Sequence, residues 1–189
     1  MQKKLSKFLL ACVVVTFLAI LFSKLIVAYQ EFVYPLKYSN YVEAYAEQNN
    51  IDKYFIYAVI KTESNFDESA ESGVGARGLM QLMEDAYDWV KYRMSDDRDI
   101  AYDDMYKAEY NIQYGTYMLK LLNDEYMDYP TVLAAYHGGR SAVNTWLSEN
   151  EYSVNGKTLD KIPSKTTEHY VNKVMKAYES YKNLYDKDR

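Results

Sequence analysis

ESNFDESAESGVGARGLMQLM, residues 63–83, is the stretch that decides the fold. It starts at the end of a helix predicted over Asp52 to Asn65, and its first residue is out of place there. On that helix Ile56, Val59 and Ile60 recur at steps of three and one, and Glu63 takes the next position on the same face. Three aliphatic residues and a carboxylic acid share one stripe. A carboxylate held against apolar side chains loses solvation, so its pKa rises. An acid that gives up a proton near neutral pH needs that environment. The other reading at this point is a helix that frays before residue 63 and leaves Glu63 in water, as most glutamates are.

The residues that follow break the helical pattern. Asn65 to Gly78 is rich in Ser, Gly and acidic residues and reads as a loop, with Asp67, Glu68 and Glu71 solvated in it. Working outward, Asn40 to Gln48 is a short helix, Asn49-Asn50 breaks it, and Asp52 caps the next. Leu79 to Tyr92 is a predicted helix, and Ser95 to Asp104 a charged, solvated loop without the spacing of a calcium-binding loop. Met105, Ala108, Ile112, Gly115, Leu119, Leu122 and Tyr126 form the cleanest amphipathic stripe of the chain. Gly115 within it costs helix stability, so a close neighbour is expected there. Pro130 opens a short helix through Tyr136 that Gly138-Gly139 ends, and Ser141 to Glu149 forms another. Asn155-Gly156 suggests a small hairpin within 151–160. Pro163-Ser164 leads into a last helix with Val171, Val174, Met175 and Tyr178 facing inward. The body is therefore all-α.

Three elements of this body carry chemistry: the stretch from Glu63, then Asn111 with Gly115, then Ala134-Ala135-Tyr136-His137-Gly138-Gly139. Together they resemble the soluble lytic transglycosylase family, whose helical fold is related to goose-type lysozyme. The resemblance covers roughly residues 40–175. It rests on Glu63-Ser64, Phe66, Ser72 and Gly75-Ala76-Arg77-Gly78-Leu79-Met80-Gln81 at matching spacing, with the Asn-xxx-Gly and Ala-Tyr elements downstream in order.

The resemblance implies a lysozyme-like domain with a glycan-binding cleft. It implies an enzyme that cuts the β-1,4 bond between N-acetylmuramic acid and N-acetylglucosamine in peptidoglycan strands, leaving a 1,6-anhydro end. Glu63 matches the family's single catalytic acid/base. Ser72, Met80, Gln81 and Tyr136 match positions that contact substrate or line the groove, Tyr136 facing the acid across it. Asn111 either holds the long helix or contacts substrate. His137 stands where the family usually has Asn, and is either a cleft residue or a local cap. Many relatives carry a Glu four residues before the pair matched by Tyr170-Val171, but here that position is Thr166. With no obvious partner carboxylate, Glu63 is expected to act alone. Two alternatives share the same residues: a muramidase that uses water, and an inactive scaffold that docks envelope machinery onto the wall.

The N-terminus reads as a membrane address. Lys3, Lys4 and Lys7 precede an apolar run over residues 8–28, long enough to span a bilayer. The basic flank places the N-terminus in the cytoplasm and the body outside. A cleaved signal ending near Ala28, or a lipoprotein signal at Cys12, are the alternatives. The expected organisation is an anchor over 1–30, a linker over 31–39 and a catalytic domain over 40–185.

The bulk composition fits. Hydrophobic residues make up 49% and charged residues 26%, so the body is globular. A net charge of −5 argues against nucleic acid as a partner. One cysteine excludes an internal disulfide, and His137 and His169 lack metal-ligand spacing, so neither metal nor cofactor is expected. The 22 tyrosines suit stacking on sugar rings, though most should simply fill helix faces. The other expected partners are the membrane and components of the envelope machinery.

Overall fold

A computed structural model describes residues 2–186 of the chain, without the side chains of 2–5, 8 and 11. The described residues are helical throughout, with no strand among them. The elements are α1 (Gln2–Val33), α2 (Ser39–Asn49), α3 (Lys53–Glu63), α4 (Glu84–Met94), a 3₁₀ turn (Tyr102–Tyr106), α5 (Ala108–Tyr126), α6 (Tyr129–Gly138), α7 (Arg140–Leu147) and α8 (Lys165–Tyr185).

α1 is one continuous helix of 32 residues. Its segment Cys12–Val33 is long and apolar enough to cross a membrane, and none of its residues is fully buried in the protein. Ser23 and Lys24 lie within it, and Ser23 Oγ donates to the Ile20 carbonyl at 2.8 Å inside the helix. The helix runs on through the first residues of the expected linker. The side chains of Lys3 and Lys4, on which the expected basic flank rests, lie outside the described residues. Just past α1, Tyr185 donates to the Tyr34 carbonyl at 2.8 Å and Tyr181 to the Pro35 carbonyl at 3.2 Å, fastening the junction to α8.

The body packs around α5 and α6. α6 is buried from Thr131 to Ala135, since it lies between α5 and α8. α3 is buried continuously from Phe55 to Ile60 and packs most extensively on α8. Local sequence sets the boundaries. Asn50 ends α2 in the left-handed conformation that Asn tolerates. The Asp52 carboxylate then accepts from Tyr54 N at 2.8 Å and caps α3. Asp128 caps α6 through Thr131 N, and Ser164 caps α8 through Thr167 N. Many tyrosines fill the core in ring pairs, such as Phe55 on Tyr129 and Tyr57 on Tyr181.

Three expectations are corrected. α4 starts at Glu84, five residues after Leu79, because Leu79 to Leu82 are folded under the preceding loop. Arg77 and Leu82 exchange backbone bonds at 2.9 and 3.0 Å, and Gly78 and Gln81 sit at positive φ, which no helix continues through. Residues 151–160 form no hairpin. Asn155 Oδ1 instead accepts from Lys157 N and Thr158 N, winding a compact turn with Gly156 at φ +68°. The acid-rich 95–104 segment is not wholly solvated either. Ile100 is buried, and Asp96 accepts from Arg98 at 2.6 Å and from the buried Tyr114 at 2.8 Å, which holds its carboxyl well below the usual range.

Candidate active site

Glu63 is the last residue of α3, so the helix does not fray before it. The helix turns it inward behind Ile56, Val59 and Ile60, all fully buried, while the side chain stays partly open to solvent. Burial pushes its pKa from 4.5 up to about 7. Two contributions act against that rise: a hydrogen bond from Tyr170 and the charge of Lys173. Tyr170 Oη donates to Glu63 Oε1 at 2.7 Å. Lys173, one turn further along α8, reaches the Thr62 carbonyl at 3.5 Å. No carboxylate is among the described groups that act on Glu63. The loop acids Asp67, Glu68 and Glu71 are exposed, as expected, and Thr166 and Glu168 are exposed on the first turn of α8.

The segment after Glu63 folds back to wall the acid in. Ser64 Oγ donates to the Leu79 carbonyl at 2.9 Å, tying the end of α3 to the return of the loop. Ser72 Oγ accepts from Ala76 N at 2.9 Å and closes a tight turn. Gln81 Nε2 donates to the Ala70 carbonyl at 3.0 Å and the Gly78 carbonyl at 2.9 Å. A Cβ on Gly78 would lie 2.2 Å from the Met105 carbonyl oxygen, so only glycine fits there, with φ at +72°. Asn111, fully buried on α5, pins this loop at three points. Its Oδ1 accepts from Met80 N at 2.7 Å, and its Nδ2 donates to the carbonyls of Arg77 at 2.9 Å and Met105 at 2.7 Å.

Met80 is also fully buried. A Cβ on Gly115 would lie 2.4 Å from Met80 Sδ, so the glycine in the α5 stripe makes room for this methionine. Met80 and Asn111 therefore offer no side-chain surface to a ligand. The expected groove-lining role of Met80 gives way to core packing, and of the two roles open to Asn111 the structure selects holding the loop. Tyr136 reaches from α6 to donate to the Met80 carbonyl at 2.7 Å. Burial raises the pKa of both Tyr136 and Tyr170, and the charge of Glu63 raises them further, so two phenols from different helices face the acid.

His137 lies in the last turn of α6. Its ring stacks on Tyr170 with centroids 4.5 Å apart and planes 23° apart, and Nδ1 lies 3.3 Å from Thr167 Oγ1. Tyr170 is the participant that the residue pattern did not single out. The Tyr170-Val171 pair is visible in the sequence, but its contact with Glu63 depends on how α8 lies across α3.

A partly open, protonatable carboxyl is thus held in an all-helical body, faced by the half-buried phenol of Tyr136 and the buried phenol of Tyr170, beside a loop of the form Gly-Ala-x-Gly-Leu-Met-Gln. The model of the transglycosylase SLT domain family matches residues 40–158, and the chain belongs to this family. Among its relatives, a putative soluble lytic murein transglycosylase of Haemophilus influenzae is 34% identical over 156 residues, covering 78% of this chain and 25% of the relative. The membrane-bound lytic murein transglycosylase C of Haemophilus ducreyi is 29% identical, covering 78% of this chain and 46% of the relative. The chain thus spans between a quarter and half the length of these relatives. The crystal structure of the 70 kDa soluble lytic transglycosylase of Escherichia coli superimposes with a TM-score of 0.73 at 25% identity, covering 82% of this chain and 25% of that one. The body therefore has the lysozyme-like fold of that enzyme's corresponding region.

Proposed function

We propose that this chain is a peptidoglycan lytic transglycosylase with Glu63 as its single acid/base. The observation that carries the reading is the Glu63 carboxyl itself: pKa raised to about 7 by burial, a phenol on Oε1, and no carboxylate among the described groups acting on it. The names of its relatives, lytic murein transglycosylases both soluble and membrane-bound, support the substrate class.

The steps balance without water. Protonated Glu63 gives its proton to the glycosidic oxygen as the C1–O bond of N-acetylmuramic acid breaks. The resulting carboxylate takes the proton of the muramic acid C6 hydroxyl while O6 bonds to C1. The products are a free N-acetylglucosamine 4-hydroxyl and a 1,6-anhydro ring, and Glu63 is protonated again. A water-using glycosidase needs a second carboxylate to activate water or trap the sugar. A nucleophile within the substrate gains from proximity instead. Tyr170 and Lys173 stabilise the carboxylate half of the cycle. Ser72 and Gln81 contact the glycan with the groups their loop bonds leave over, the Ser72 hydroxyl hydrogen and the Gln81 Oε1. Tyr136 contacts it from the opposite wall.

α1 anchors the protein as a single span, with the N-terminus cytoplasmic and the catalytic body facing the wall. The test of the function is digestion of purified peptidoglycan by the full chain in detergent, beside Glu63→Gln, with the released fragments identified by mass spectrometry. The wild type releases muropeptides with anhydro ends, and Glu63→Gln loses at least ~100-fold in rate. No release by the wild type, or equal release by the variant, overturns the reading.

A further inference from the structure

We infer that His137 is a positioning residue for the catalytic acid: its imidazole is the flat backing against which Tyr170 presents its hydroxyl to Glu63. This rests on the reading of Glu63 as the acid/base. The chain of contacts runs His137 ring on Tyr170 ring, with centroids 4.5 Å apart, then Tyr170 Oη to Glu63 Oε1 at 2.7 Å.

His137 can serve as a backing because it is itself held. Nδ1 lies 3.3 Å from Thr167 Oγ1, and Thr167, only 2% exposed, is tied to Ser164 Oγ at 3.1 Å. Thr167 and Tyr170 stand three residues apart on α8 and so share a face, which lets one ring touch both. The next residue, Gly138, brings α6 against the same threonine: a Cβ there would lie 3.2 Å from Thr167 Oγ1. Four groups from two helices thus close a small unit whose output is the direction of one phenol.

Filling of the core does not explain this histidine. The residue as a whole is exposed, and an exposed side chain contributes little by burial. What the stack does is restrict a torsion. Without it, the buried Tyr170 ring loses the packing on that face, and its hydroxyl is aimed at Glu63 less tightly. Desolvation where the ring meets Tyr170 lowers the His137 pKa from its ordinary 6.5, which favours the neutral imidazole. The charged and titratable groups that face Glu63 are Tyr170 and Lys173 from α8 and Tyr136 from α6. His137 acts through the first of these.

The hydrogen bond from Tyr170 favours the carboxylate and restrains the rise of the Glu63 pKa. Loosening Tyr170 therefore moves the Glu63 midpoint upward. The experiment compares the full-length wild type with His137→Ala, His137→Phe and His137→Asn, following the Glu63 carboxyl by NMR titration of carbon-13-labelled protein and measuring kcat and KM on peptidoglycan across pH. His137→Ala raises the Glu63 midpoint by ~0.5–1 pH unit. It shifts the basic limb of the kcat profile by the same amount and lowers kcat several-fold with KM little changed. His137→Phe keeps a flat backing and restores the midpoint, whereas His137→Asn falls between the two. An unchanged midpoint in His137→Ala, or a His137→Phe that behaves like His137→Ala, overturns the inference. So does an effect confined to KM, which assigns the histidine to glycan contact. The NMR midpoint is read without substrate, so failure of the proposed activity leaves this test standing by itself.

Discussion

Tyr170 and Glu63 are joined by a 2.7 Å hydrogen bond that spans 107 residues of sequence. It is one of two clasps between the same helices. At the other end of α3, Tyr178 donates to the Asp52 carboxylate at 2.7 Å. α8 thus runs antiparallel to α3 and grips it at its first turn and its last. The N-terminal clasp closes on a capping residue and serves the fold. The C-terminal clasp closes on Glu63, the proposed acid/base.

Tyr170→Phe separates the two halves of the proposed cycle. It keeps the ring and removes the donor to the Glu63 carboxylate, so the acid becomes harder to ionise. The Glu63 midpoint should rise above about 7, and kcat should fall by ~10-fold or more because the carboxylate that takes the C6 proton is less stabilised. A pH–rate profile of the variant on peptidoglycan checks both at once. An unshifted basic limb would show that the hydrogen bond does not bear on catalysis.

The raised pKa has a sign for stability as well. Glu63 titrates at 4.5 in an unfolded chain and at about 7 when folded. Between those values the folded protein binds more protons, so stability falls as pH rises through that window and levels off above it. The loss is roughly 3–3.5 kcal/mol at most. Glu63→Gln removes the titration, so its advantage in denaturant midpoint over wild type should be small at pH 4 and grow to a plateau by pH 8. Activity follows the same proton: the general acid is lost as pH rises through about 7.

The loop that walls in the acid should be fragile at two points. Asn111→Ala strands three partners, Met80 N and the carbonyls of Arg77 and Met105, in a buried place. About 2–4 kcal/mol of stability should go with it. Gly78→Ala should cost at least as much, since its Cβ would meet the Met105 carbonyl oxygen at 2.2 Å on a backbone of φ +72°. Denaturant unfolding of the two variants in detergent measures this. A loss under ~0.5 kcal/mol in either would mean the loop is not pinned as described.

Much of this architecture could be read from residues. The stripe of Ile56, Val59, Ile60 and Glu63 placed the acid on an apolar face, Asp52 announced the start of its helix, and Gly115 announced a close neighbour, which is Met80. Periodicity misled at Leu79 to Leu82, where apolar residues continue but positive φ at Gly78 and Gln81 turns the chain back on itself. An Asn-Gly pair suggested a hairpin at 155–156, but Asn155 spends its side chain on the backbone two and three residues ahead. Met80 matched a groove-lining position and lies instead beneath the loop, and Asn111, open between two roles, holds that loop, because the sequence pattern does not distinguish a wall from its support. The roles of Tyr170 and His137 come from how α6, α8 and α3 meet, and no spacing within one helix reports that.

The central claim is that Glu63 works without a partner carboxylate because the substrate supplies its own nucleophile. Digestion of peptidoglycan by the full chain in water enriched in oxygen-18 tests it most directly. Muramic acid ends released with an anhydro ring and no heavy oxygen are the predicted result. Reducing muramic acid ends that carry oxygen-18 at C1 would show that water is the nucleophile, and would contradict the account.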